Sequence, residues 1–236
     1  MLWYKAWLET RVRFLISFFG MTGLCSYFVF HLDRLALSDT KLDYYYAVLH
    51  GGQGLLAGMW ILAVTLLTMD GLSREKAVGT SSFTLALPVT RTHLMGVRIS
   101  VALFQAMVLA IVPWTAMFSV GSITGKTHSI YQAGFHVILL AGGGLVFFAL
   151  ALLSSSLIEG QYTAPVVSLG IAIAIPVALN GLREYSPFAF VMGDGYFDRE
   201  TELLAGPIPW LHASLWGLLS ALLVLVAVQW VKRRDF

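Results

Sequence analysis

The sequence predicts an all-α membrane protein of six transmembrane helices, and three observations carry that prediction. Only 12% of its 236 residues are charged while 58% are hydrophobic, against about a quarter charged in soluble domains. Apolar runs close to the length of a bilayer-crossing helix recur along it, and the mean hydropathy is +0.77. One long polar interruption, residues 69–98, separates two of these runs and carries helix start and stop signals of its own. A net charge of +2 is too small to imply nucleic-acid binding. The single cysteine, Cys25, sits in an apolar run, so no intrachain disulfide is possible.

Residues 1–13 do not read as a signal peptide, because Glu9 interrupts them and no small-residue cleavage site follows the next run. On a helix, Trp3, Ala6, Trp7 and Phe14 share one side, while Lys5, Glu9 and Arg13 form an i, i+4 ladder on another. Two tryptophans on the apolar side predict an amphipathic helix lying in the membrane interface. The plainer alternative is a charged lead-in to the first span.

The six spans are expected at about 14–32, 47–68, 99–120, 132–157, 162–182 and 211–231. Tyr44, Tyr45 and Tyr46 mark an interface belt before the second. Gly54 and Gly58, four residues apart, give that span a small-residue face for close helix contact. Pro113 is expected to kink the third. Gly142, Gly143 and Gly144 fall near the middle of the fourth. The 183–209 connection is mixed: Asp194, Asp198, Glu200 and Glu202 are acidic, whereas the run Pro187–Met192 is apolar. That run is expected either to dip back into the outer leaflet as a re-entrant element or to form an ordinary outer loop.

Orientation follows from charge. With both termini cytoplasmic, the inner side holds Lys5, Arg11, Arg13, Arg74, Lys76, Arg91, Arg98, Lys232, Arg233 and Arg234, or 10 of the 15 basic residues. The outer side keeps 5. The excess favours N-in, C-in, which puts residues 69–98 in the cytoplasm and 183–209 outside.

No span carries Asp, Glu, Lys or Arg near its centre. Ion-coupled transporters commonly need such groups in the bilayer. The polar side chains at depth are Gln53, Gln105, His136 and Asn180, besides hydroxyls, and no catalytic pair stands out among them. Uphill movement would therefore draw its energy from outside the chain. Residues 121–127 imitate a phosphate-binding loop, but they are one residue short of G-x-x-x-x-G-K-[ST] and follow no buried strand. A turn between spans is the better reading. His31, His50, His128, His136 and His212 gather near the expected outer face, yet none pairs with another at metal-ligand spacing on one helix. No metal ligand is assigned.

Within the 69–98 stretch, Ser81 or Ser82 is a fit cap for a short helix that must stop before Pro88. Thr90 is a fit N-cap for a helix through Leu94, Val97 and Val101. The run Glu75-Lys76-Ala77-Val78-Gly79-Thr80, followed by Leu85-Ala86-Leu87-Pro88-Val89-Thr90-Arg91, resembles permeases of the ABC-2 transporter type. In that family an E-[RK]-x-x-G-[ST] stretch leads into L-P-[VI]-[ST]-R before the third span. The six spans, the N-terminal helix, the long fifth-to-sixth connection and the basic C-terminal tail agree in pattern.

The resemblance implies that Glu75, Gly79 and Thr80 begin a cytoplasmic coupling helix, with Ser81, Ser82, Phe83, Leu85 and Leu87 on it and Arg91 just beyond. This helix would enter a groove on a separate ABC ATP-binding subunit, to which Lys5 and Arg13 would add contacts. It further implies a permease subunit rather than an enzyme. ATP and Mg would lie on two copies of the partner, with no cofactor in this chain. A second permease half, the same chain or a related one, would complete the pathway in a bacterial inner membrane, and export is the usual direction. Gly54, Gly58 and Gly142 to Gly144 would pack helices or flank the pathway. Two other classes stay open, a non-transporting membrane anchor and a metal- or pH-responsive sensor. They differ from the first in lacking an ATPase partner.

Overall fold

A computed structural model of the chain describes residues 2–35, 52–68, 90–123, 130–158, 163–178, 185–196, 204 and 206–233. The described residues are helical almost throughout. In chain order the helices are α1 (Leu2–Leu35), α2 (Gly52–Leu67), α3 (Arg91–Ile123), α4 (Ile130–Leu157), α5 (Thr163–Ala178), α6 (Pro187–Met192) and α7 (Trp210–Arg233). Four of them, α1, α3, α4 and α7, are long and apolar enough to cross a membrane. Helices α2 and α5 are apolar but have 16 residues each, about 24 Å at 1.5 Å per residue. Residues 47–51 and 179–182, which complete the expected second and fifth spans, lie outside the described residues.

Two boundaries differ from those expected. The break at residues 13 and 14 is absent, because α1 runs on for 34 residues, about 51 Å. No glycine or proline interrupts Leu2–Phe19, and the Thr10 hydroxyl folds back to donate to the Ala6 carbonyl at 3.1 Å. Its polar ladder is therefore continuous with the first span. Helix α3 begins at Arg91, as the expected Thr90 cap requires, and so starts ahead of the span expected from 99. The His93 N–H donates to Thr90 Oγ1 at 3.3 Å, and the Leu94 N–H to the Thr90 carbonyl at 3.1 Å. Leu94, Val97 and Val101 are all buried, as the 3.6-residue period requires. Helix α3 continues through Pro113 over all its 33 residues.

Helix α4 is the hub, packing against α2, α3, α5, α6 and α7. Around it Trp60, Leu109, Phe147, Phe148 and Met21 close the main core. At one end of the bundle Leu94, Met95, Leu152, Ala227 and Val231 pack together with Leu2 against them. At the other, Phe135, Leu139, Phe190 and Leu204 gather with Ala213 and Trp216. Helices α1 and α3 thus start where α4 and α7 finish. Helix α7 buries only Ser220, Ala227 and Val231 and leaves Leu211, Leu215, Leu218, Leu222 and Leu225 exposed. Such an outward-facing leucine surface suits an apolar surrounding, not water.

Candidate functional site

Two regions, one at an end of the bundle and one at its middle, gather the features that function would use. The first surrounds the places where the chain leaves α2 and enters α3, the roots of the 69–89 connection. Both roots touch α1. Arg13 Nη1 donates to the Leu66 carbonyl at 3.1 Å. That carbonyl belongs to the last turn of α2, where carbonyls lack helical partners and the helix dipole favours a cation. Across the other root, Arg98 Nη2 reaches Glu9 Oε2 at 3.2 Å and Oε1 at 3.4 Å, with Lys5 Nζ 3.8 Å from the same carboxylate. Deeper along the same seam, Gln105 Nε2 donates to Thr10 Oγ1 at 2.8 Å. The polar ladder expected to face a partner through Lys5 and Arg13 is engaged within the chain.

The second region lies around the glycine triplet of α4. A methyl group on Gly144 would stand 2.5 Å from Cζ3 of Trp60. On Gly143 it would stand 2.7 Å from both the Pro187 carbonyl oxygen and Val191 Cγ2, and on Gly142 3.2 Å from the Ala213 methyl. Three successive glycines therefore admit α2, α6 and α7 on three sides of one helix. Trp60 in turn donates its Nε1–H to the Ala106 carbonyl of α3 at 3.0 Å, joining three helices through one ring. Gly54 touches only the flexible end of Met192, at 3.4 Å, and Gly58 meets nothing within 4 Å.

Helix α6 is built locally by Pro187 in its first turn and by Gly193, whose φ of 74° ends it. The Gly193 and Asp194 N–H groups return to the carbonyls of Phe190 and Ala189. The chain is then pinned to the start of α4. Gln132 Nε2 donates to the Leu204 carbonyl at 2.9 Å while Leu204 N–H donates to Gln132 Oε1 at 3.3 Å, and Tyr131 Oη donates to the Gly206 carbonyl at 3.1 Å. Gly143 lies about 16 Å further along α4 than Gln132. Helix α6 thus lies against the midpoint of α4, whereas Leu204 and Gly206 lie at its start. At the rim Tyr196 Oη lies 3.1 Å from His212 Nδ1, and burial pushes the Tyr196 phenol above its ordinary range.

Of the residues expected to contact a partner, Glu75, Gly79, Thr80, Ser81, Ser82, Phe83, Leu85 and Leu87 lie outside the described residues, and Arg91 is described only as the first residue of α3. Sequence reasoning noted Gln105 and His136 as polar at depth but assigned them no neighbour. Gln105 meets Thr10, and His136 stacks on Trp114 with ring centroids 4.5 Å apart and planes 6° from parallel. The Glu9–Arg98 pair carried no local signal at all, its members being 89 residues apart. Among the described residues no group of three or more His, Cys, Asp or Glu is placed to hold a metal ion. The arrangement is mechanical in kind: a polar brace at one end and, at mid-bundle, a close-packed glycine seat for α6.

These features define a multi-helix membrane protein. No protein-family model matches the chain, and no curated protein matches it either.

Proposed function

We propose that the chain is the permease subunit of an ATP-driven transporter of the ABC-2 type, working as an exporter. The observation that carries the reading is the Glu75-to-Arg91 stretch, whose residue pattern resembles that family's coupling segment. It sits between α2 and α3, whose adjoining ends both contact the N-terminal third of α1. In this reading α2 and α5 are completed to full spans, giving six. Both termini and the 69–89 connection face the cytoplasm of a bacterial inner membrane.

Hydrolysis belongs to a separate ATP-binding subunit present in two copies, which holds ATP and Mg. A second permease half, identical or related, completes the pathway. Nucleotide-driven closure of the ATPase pair moves the coupling helix at 81–87, and the two halves rock between inward- and outward-open states. Helix α6, seated at mid-depth on Gly143, closes the outer end as a re-entrant element.

The reading is tested by purifying tagged chain in mild detergent, identifying what accompanies it, and assaying ATP hydrolysis. A roughly stoichiometric ATP-binding subunit is expected, and it is lost when 81–87 is deleted. A chain that purifies alone with no ATPase would overturn the proposal and favour a membrane anchor. Stoichiometric zinc or copper binding by such a chain would favour a sensor instead.

A further inference from the structure

We propose that Glu9 and Arg13 are positioning residues that brace the two roots of the 69–89 connection, so that α1, the end of α2 and the start of α3 move as one body. The function assigned to this brace rests on the permease reading. Its geometry does not.

Leu66 precedes the connection and Arg98 follows it, and a single helix grips both. Arg13 supplies a cation to an end-of-helix carbonyl of α2 at 3.1 Å. Four residues earlier on α1, Glu9 receives Arg98 of α3 at 3.2 Å. This ion pair is not a surface ornament, because the Arg98 and Glu9 side chains are only 12% and 24% exposed. Solvent screening is reduced there, and removing one member strands the other in a poorly hydrated place. Next to Glu9 on α1, and about two turns further along α3, the Thr10–Gln105 bond, with Gln105 wholly buried, fixes the register of α1 against α3. Ala6, Val97 and Val101 fill the space between these polar contacts.

Helices α2 and α3 touch each other less than either touches α1. The spacing of the two roots is therefore set through α1 more than by direct contact. A displacement applied to the connection reaches the bundle through this three-helix unit. Without the brace, part of the same displacement would be taken up in loosening the root ends of α2 and α3, which are joined farther along by the Trp60–Ala106 bond.

Hydrogen exchange on the purified full chain in detergent tests the brace without any partner. E9Q is expected to speed exchange in 91–98, and R13Q in 64–68, by about tenfold, the loss of one partly buried charged contact. Peptides covering 139–152 should be unchanged in both. The charge-swapped E9R/R98E chain is expected to recover slow exchange in 91–98, which general loosening would not produce. Should E9Q fail to fold, R13Q alone decides on 64–68. Unchanged root exchange in the single variants, or a swapped chain as loose as E9Q, would overturn the brace.

Its role in coupling is read separately, with the co-purified ATPase. Partner-stimulated hydrolysis should fall in E9Q while the partner still co-purifies, and should return in E9R/R98E. Hydrolysis in E9Q equal to that of the parent chain would refute the coupling role. A parent chain that carries no ATPase refutes the permease reading, and the coupling role with it, while the exchange result still judges the brace.

Discussion

Each glycine of the α4 triplet is defined by what stands where its side chain would be. At Gly144 a methyl would lie 2.5 Å and 2.9 Å from two atoms of Trp60, a ring already held by its hydrogen bond to Ala106. Gly144→Ala is therefore expected to cost about 1–3 kcal/mol through overpacking, even though alanine is the better helix former. Gly143→Ala should cost at least as much, because the Pro187 carbonyl that it meets is backbone and cannot rotate away. Gly58→Ala is the control: it meets open space and is expected to be neutral or to stabilise by up to about 1 kcal/mol. Thermal midpoints of the three variants in one detergent check the ranking. Equal midpoints for Gly144→Ala and Gly58→Ala would show that the triplet is not a close-packing device.

Among elements, the connection between α5 and α7 is held, in its described residues, by few but directional contacts. Helix α6 has only 6 residues, too short to persist by itself, since isolated helices of fewer than about 12 residues are marginal. It persists because Phe190 and Val191 are buried against α4 and because the chain beyond it is clamped at Leu204. The Gln132 amide makes both bonds of that clamp, accepting from and donating to one buried residue. Gln132→Leu keeps the volume and strands a backbone N–H and carbonyl, at a cost of about 1–3 kcal/mol. Limited proteolysis should then cut the 193–209 segment faster, while the 94–123 region stays protected. An unchanged cleavage rate there would mean that Gln132 does not secure the connection.

For the whole molecule, the packing order gives a sidedness that labelling can read. The residues at the Leu94–Leu152–Val231 end and those at the Phe135–Leu204 end belong to opposite faces of the bundle. In a Cys25→Ala background, which removes the one buried thiol, Thr90→Cys and Arg233→Cys are expected to label from the same side of oriented vesicles. Gly206→Cys is expected to label from the other. In the proposed orientation the first side is the cytoplasmic one. Labelling of Thr90→Cys and Gly206→Cys from one side would break both the six-span topology and the permease reading. The same sidedness explains the exposed leucines of α7, which need lipid or a second chain around them and have neither inside this one.

What depends on local chemistry is legible along the chain. Long apolar runs with few charges can only be helices in a bilayer, since hydrocarbon offers the backbone no other partner. Thr90 shows itself as a cap by its side chain and by the apolar period that follows it. The run Pro187–Met192 stands out as apolar within a polar connection, but that it is a short helix ended by Gly193 is seen only in the fold. Residues 69–98 stand out by polarity and by the family likeness of their pattern, though most of them lie outside the described residues. Which polar groups meet is legible only in the folded bundle. Glu9 with Arg98, Arg13 with Leu66, Gln105 with Thr10 and Gln132 with Leu204 are all pairs distant in sequence. Periodicity assigns each residue to a face but does not say which helix lies opposite. Likewise the glycine triplet reads as a place for close approach, while its three neighbours, Trp60, α6 and Ala213, follow from how the helices pack. Identity along a chain sets what each residue is able to do; proximity across the bundle sets what it does.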